Sequence, residues 1–238
     1  MISDAVVLMA GRGLRLGASA PKPLAQLLGR PLISYIFDAL ARAGMKHVYA
    51  VVGFQKHLVM AGAKPLIPKG LEIHFIENPD WQKQNGISVL TAAKQVTSPF
   101  LLTMSDHLFD QAIVDLTLDR VAPDELNLAV DRKLDSIVDL DDATKVETRG
   151  ERIVAIGKQL ERYDAIDTGL FVCPPEIFDY LERAKREGDC SLSDGVREMA
   201  ADGKARAIDI GDAWWQDVDT PEMFTAAERK LAARHRRP

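Results

Sequence analysis

Apolar runs alternate along the chain with segments whose apolar residues recur every three to four positions. Ala5 to Met9, Val48 to Val52 and Leu71 to Ile76 have the length and β-branched content of buried strands. Between the first two, Leu32 to Ala43 carries the helical period, with Pro31 at its first turn and Gly44 just past its end. A short helix is expected between the second and third runs. Strand, helix, strand in this order predicts a parallel sheet with crossover helices. Further on, residues 85–96 read as a helix, residues 99–104 as a buried strand, and Leu126 to Asp131 as another. The periodicity breaks between Arg132 and Ala143, an acidic loop, and residues 145–158 then read as a hairpin turning at Arg149 and Gly150. A strand from Ile166 to Cys173, helices near Pro175 to Arg186 and Ser191 to Ala201, a strand from Ala205 to Ile210 and a helix after Pro221 complete the pattern. The expected fold is α/β: a Rossmann-like, mostly parallel but mixed central sheet, helices on both faces, and a small β-hairpin subdomain. No internal repeat or low-complexity linker divides the chain.

Composition narrows this picture. A chain of 238 residues that is 47% hydrophobic suits a single elaborated domain, 1–238. Its formal net charge of -5 argues against a broad nucleic-acid footprint, so a polyanionic ligand has to be met by placed cations or by a metal. The two cysteines, Cys173 and Cys190, have no metal-ligand spacing, which points to a reducing compartment and to packing roles. The N-terminus lacks a charged leader, and its apolar run falls below the roughly 18 residues of a membrane span. A soluble, cytoplasmic protein is expected. The basic C-terminal stretch from Lys230 reads as a solvated helix end.

The first strand runs into Gly11, Gly13 and Gly17, which free the backbone to turn its N–H groups toward phosphate oxygens. A dinucleotide fold would open a helix at these glycines and set an acidic residue at the end of the second strand, and neither occurs. Pro21 and Pro23 instead keep the segment extended. It also carries Arg12, Arg15 and Lys22, three cations suited to a triphosphate. A Walker A loop is excluded because no Gly-Lys-Ser/Thr closes the segment.

Aspartates mark the other side of the expected crevice. Asp106 follows a buried strand, where open α/β sheets bind ligands and where a carboxylate is a hard ligand for Mg²⁺. Asp217 and Asp219, two apart in an expected short strand, would share a face and complete a magnesium site. A turn or cap is the competing reading for Asp219, which precedes Thr220 and Pro221. Lys145 and Lys158 lie on the two arms of the expected hairpin and would converge on an anionic phosphate, with Asp167, Thr168 and Gly169 beside them. No Ser/His/Asp or Cys/His arrangement stands out, and His107 reads as packing or as support for Asp106.

The stretch from Leu8 to Gly17 followed by Pro21-Lys22-Pro23-Leu24 resembles the signature of the sugar-phosphate nucleotidyltransferases. In that family the loop embraces a triphosphate; Gly11, Gly13, Arg15 and Lys22 match, and the choice between Arg12 and Arg15 as main phosphate contact stays open. Residues 103–107, 139–146, 153–158, 165–172, 190–196 and 214–220 are, in this order, similar to the CTP:inositol-1-phosphate cytidylyltransferases. The resemblance implies the nucleotide-diphospho-sugar transferase fold, with residues 1–130 mainly holding the nucleotide, 131–220 mainly the acceptor, and 221–238 a closing helix. It implies a metal site of Asp106 and Asp219, joined by Asp217, and nucleotide contacts from Ala10, Asn85, Gly86, Ser88 and Ser105. It further implies that CTP and inositol 1-phosphate give CDP-inositol and pyrophosphate with Mg²⁺. The acceptor phosphate is largely dianionic near neutrality, its second pKa being about 6, so no general base is required. Relatives are commonly fused to a membrane phosphotransferase; no transmembrane run follows here, so the product would pass to a separate enzyme. The alternatives are another acceptor (phosphocholine, a phosphonate such as 2-aminoethylphosphonate, a hexose 1-phosphate), UTP or dTTP as donor, a non-catalytic nucleotide-binding regulator, and a dinucleotide-dependent dehydrogenase. The residues do not decide the oligomeric state.

Overall fold

Ala5 to Met9 are all buried because β1 (Asp4–Met9) lies inside a sheet covered on both faces. Ala5, Val7 and Met9 point into one apolar layer and Val6 and Leu8 into the other, as strand alternation requires. The structure, a computed structural model, describes residues 2–17 and 20–235. Past β1 come β2 (Gln26–Leu27) and β3 (Arg30–Pro31), then α1 (Leu32–Arg42), β4 (His47–Val52), α2 (Lys56–Ala63), β5 (Glu72–Glu77) and α3 (Asn85–Leu90). The middle holds β6 (Phe100–Met104), β7 (His107–Phe109), α4 (Gln111–Asp119) and β8 (Leu126–Asp131). Then follow the hairpin strands β9 (Lys145–Arg149) and β10 (Arg152–Gly157), and β11 (Ala165–Cys173). The chain closes with α5 (Ile177–Ala184), α6 (Leu192–Ala201), β12 (Ala205–Asp209), β13 (Trp215–Asp217) and α7 (Pro221–His235).

The main sheet runs β5-β4-β1-β6-β11-β8-β12-β10-β9. Its first four strands are parallel, β11 is antiparallel to both of its main neighbours, and β12 is parallel to β8, so the expected mixed sheet is observed. β9 also pairs with the start of β11, which folds the hairpin back over the end of the sheet. Helices α3, α5 and α6 cover one face through Ile87, Ile177, Phe178, Leu181, Val196 and Met199. Helices α1, α2 and α4 cover the other through Ile33, Phe37, Leu40, Val59 and Ile113. A third cluster packs α7 through Ala227 and Phe224 onto Leu16, Leu27, Leu32, Leu108 and Val218, tying the C-terminal helix to the segment after β1.

Three features differ from the sequence reading. The helix expected over residues 85–96 ends at Leu90, where Thr91 Oγ1 donates to the Ser88 carbonyl at 2.7 Å and competes with Ala92 N–H for it. Ala92 N–H turns to Val89 O at 3.0 Å, and the segment continues as tighter turns with Ala92 and Val96 still in the core. The short strands β2, β3 and β7 and the helix α4 lie beyond those expected, the last with Asp110 at its N-cap position. The strand carrying Asp217 stops there, so Asp219 is positioned by the following turn and not by strand alternation.

Phe100 is fully buried in β6 and stacks on Phe178 of α5, ring centroids 5.5 Å apart. Phe100→Ala is therefore expected to lower stability by about 3–5 kcal/mol, read as a shifted urea midpoint at unchanged slope.

Candidate active site

The crevice opens where β1 and β6 end at their C-terminal edge, the position at which open α/β sheets take ligands. The loop after β1 turns through Gly13, at φ 61°, and a Cβ there would lie 2.6 Å from Lys22 Cβ. Glycine thus lets the Lys22 stem lie directly beneath the loop, leaving that lysine only 6% exposed. Its ammonium forms ion pairs with Asp106 Oδ2 and Asp219 Oδ1. Burial would lower the Lys22 pKa, but these carboxylates hold it above its ordinary value.

Asp106 follows β6, and its second oxygen, Oδ1, lies 2.7 Å from His107 Nδ1. Burial would raise this carboxyl, yet Lys22 and His107 hold it well below the usual carboxylate range. Burial likewise works against a charged His107, and Asp106 overcomes it, pushing the imidazole up to about 8. The His107 ring stacks on Trp215 at 6.2 Å and fills the space over Gly169, where at φ +75° a Cβ would come within 2.2 Å of His107 Cδ2. Arg15 joins Asp219 to Asp142, and Lys158 Nζ reaches Asp142 at 2.7 Å. Charges of alternating sign therefore run from Lys158 through Asp142, Arg15, Asp219 and Lys22 to Asp106 and His107. Burial is the main cause that raises the Asp217 carboxyl, with Asp219 and Asp106 adding to it. Burial also pushes Asp167 up to about 6, although Gly169 N–H donates to it at 2.7 Å.

The pocket, about 380 Å³, is lined by most of the residues singled out in the sequence: Ala10, Gly11, Gly13, Lys22, Asn85, Ser88, Ser105, Asp106, Lys158, Asp167, Gly169, Asp217 and Asp219. Asn85 Oδ1 accepts from Leu192 N–H at 2.8 Å, pinning α3 to the start of α6. Ser88 Oγ accepts from Asn78 Nδ2 at 2.9 Å, which leaves its own hydrogen to point elsewhere. Arg15 reaches the acidic groups from the rim, whereas Arg12 lies over the Phe54 ring at 5.4 Å.

Lys145, Thr168 and Gly86 require correction. The two hairpin lysines do not converge: Lys145 is buried, and its ammonium donates to the carbonyls of Asp141 and Lys158 at 3.0 and 2.9 Å. It fastens the acidic loop to the hairpin and does not line the pocket. Thr168 is equally inward, its hydroxyl donating to Ala129 O at 2.8 Å across to β8. Gly86 packs against the Cys190–Ser191 backbone and stands outside the lining. Conversely, Asp142 was not singled out, because nothing in an acidic loop distinguishes the carboxylate that will fold back onto Arg15 and Lys158. Trp81 and Lys83 also line the pocket and carried no sequence signal.

The residues fit a hard divalent cation. Asp106 and Asp219 offer carboxylate oxygens only, and the position between them already holds a positive charge, the Lys22 ammonium, whereas Asp217 has no oxygen that converges with both within 4.8 Å.

A parallel sheet ending in a glycine turn, with clustered aspartates opposite lysine and arginine, defines a nucleotidyltransferase-type site. Residues 5–198 match the MobA-like NTP transferase domain, and the chain belongs to that family. It is 36% identical over 234 residues to the bifunctional IPC transferase and DIPP synthase of Thermococcus kodakarensis, covering 95% of this chain and 50% of that protein. It is 35% identical over 230 residues to the protein of the same name from Rubrobacter xylanophilus, covering 95% and 51%. The chain thus spans about half the length of these curated relatives. Among solved structures, the inositol-1-phosphate CTP transferase from T. maritima superposes with a TM-score of 0.86 at 26% identity, over 97% of this chain and 95% of that one. The resemblance read from the sequence, its fold and its nucleotidyltransferase class are borne out. No helix among the described residues is long and apolar enough to cross a membrane.

A partly buried carboxyl whose pKa is raised weighs against folding once it must ionise. For Asp167 that penalty is absent below about pH 4, grows up to about pH 6 and is constant above. Asp167→Asn keeps the acceptor for Gly169, so the variant should be more stable than the native protein at pH 7.5 and match it below about pH 4, as followed by urea unfolding across pH.

Proposed function

We propose that the chain transfers a cytidylyl group from CTP to inositol 1-phosphate, giving CDP-inositol and pyrophosphate. The observation that carries this reading is the alternating chain of charges Lys158, Asp142, Arg15, Asp219, Lys22 and Asp106: all but Arg15 line one pocket, and Arg15 bridges Asp142 and Asp219 from its rim beside a phosphate-type glycine loop. The substrate pair is supported by similarity to the inositol-1-phosphate CTP transferase from T. maritima.

Backbone N–H groups of Gly11 and Gly13 receive the β- and γ-phosphates, and Arg15 and Lys22 exchange their carboxylate partners for phosphate oxygens. Asn85 and Ser88 flank the ribose and base, with the backbone at Ala10 and Ser105 completing that wall. Lys158, released from Asp142, meets the acceptor phosphate beside Asp167 and Gly169. Aligning that phosphate opposite the pyrophosphate leaving group supplies much of the rate, since the nucleophile is already ionised. A magnesium ion held by Asp106 and Asp219 would neutralise charge around the α-phosphorus. His107 keeps Asp106 oriented and ionised through its Nδ1 contact. The product is chemically suited to a phosphotransferase activity that consumes CDP-alcohols.

Pyrophosphate release from the purified chain tests the reading. With Mg²⁺, CTP and inositol 1-phosphate are expected to exceed UTP, dTTP, phosphocholine, 2-aminoethylphosphonate or glucose 1-phosphate by about tenfold or more in kcat/KM. Turnover with phosphocholine but not inositol 1-phosphate would refute the acceptor assignment. Asp106→Asn should lower kcat on the order of 10²–10³-fold with an unchanged far-UV spectrum, and a variant as active as the native protein would remove Asp106 from the reaction.

A further inference from the structure

At the opposite end of the sheet, three metal-ligating side chains share one exposed face. β4 and β5 are parallel and pair His47 with Glu72 and Tyr49 with His74, so strand alternation brings His47, Glu72 and His74 to the same side. β5 is the edge strand of the sheet, and helix α3 covers the face nearer the centre, leaving these groups in solvent. Their side chains are 43%, 63% and 40% exposed. We propose that His47, Glu72 and His74 form a surface site for zinc(II), distinct from the carboxylate site of the pocket.

The distances carry the inference. His47 Nδ1 lies 3.4 Å from Glu72 Oε2, and His74 Nε2 lies 3.4 Å from Glu72 Oε1. Both exceed the 2.7–3.2 Å of a good N–H···O hydrogen bond. Each is close to the separation of about 3.3–3.4 Å between two tetrahedral ligands whose bonds to zinc are about 2.0–2.1 Å, and since the imidazoles face different oxygens of Glu72, a turn of that carboxylate would present one oxygen to both. One donor atom from each residue lies within 4.8 Å of the other two, the one such trio among the described residues. Tyr49 stacks on the His74 ring at 5.2 Å and limits its rotation. Asp4, paired with His47 on the inner side, adds negative charge to the same row. Exposure leaves an open fourth position for water and a direct entry path. Two imidazoles and a carboxylate suit zinc and disfavour magnesium, which prefers oxygen donors. Roughly 15–20 Å of strand separates this row from the pocket, so the two sites can be loaded independently.

Calorimetric titration of zinc into the chelator-stripped full chain, with saturating magnesium present to occupy the pocket carboxylates, tests the site. One equivalent per chain is expected, weakened about tenfold or more by His47→Ala and by His74→Ala and unaltered by His57→Ala on the exposed side of α2. Copper(II) substituted for zinc should give electron paramagnetic resonance features of two imidazole nitrogens, and one histidine replacement should reduce them to a single nitrogen. Both histidine variants should release pyrophosphate at the native rate in zinc-free buffer, establishing that they fold. No zinc uptake by the native chain, or uptake unchanged in both folded variants, would overturn the assignment.

Discussion

The pocket depends on one buried cation. Lys22 is withdrawn from water beneath the glycine loop and can remain charged there only because Asp106 and Asp219 are brought to it from residues far apart in the chain. Each of the three is costly alone: a buried ammonium or carboxylate without a partner loses hydration that nothing replaces. The trio therefore couples the segment after β1, the end of β6 and the turn before α7. Arg15 and Asp142 extend the coupling to Lys158 beside the hairpin, so the segment after β1 and the hairpin are joined by charge.

This arrangement also sets how the site meets a polyanion. In a protein of net charge -5, a triphosphate of the kind proposed above would enter against the overall field, and local cations would have to be supplied at short range. Arg15, Lys22 and Lys158 are held in place by carboxylates, so the proposed binding would exchange one set of anionic partners for another with little reorientation. The apolar layers support this by fixing the strand ends. β1 is packed on both faces, and α7 presses the loop at Leu16 against Leu108 and Val218, between the two segments that carry the aspartates.

The two ends of the sheet carry opposite coordination chemistry. At the C-terminal edge of β1 and β6 the donors are carboxylate oxygens with lysine between them, suited to a hard ion and phosphates. At the outer edge of β4 and β5 they are imidazoles around one glutamate, exposed and suited to a softer ion. The polar outer row also blunts an edge strand that would otherwise offer a bare ladder to another chain.

What the sequence determined by itself was everything governed by local periodicity and local chemistry. Continuous apolar runs gave the central strands, the 3.6-residue pattern gave α1, α5 and α6, and glycines followed by prolines and cations gave a phosphate loop that does not open a helix. Asp106 was singled out because it follows a buried strand, and Asp219 through its spacing from Asp217 and the family resemblance, although it is the turn after β13 and not strand alternation that positions it. Tertiary structure alone decided partners. Lys145 and Lys158 are equivalent hairpin lysines in the sequence, yet one is turned inward onto carbonyls and the other faces the pocket, because β9 pairs with β11 as well as β10. Asp142 became part of the site only when its loop met Arg15. His47, Glu72 and His74 came together only through strand register. Pattern fixes which face a residue occupies; which charge stands opposite it is set by contacts between segments distant in the chain, and no local rule encodes those.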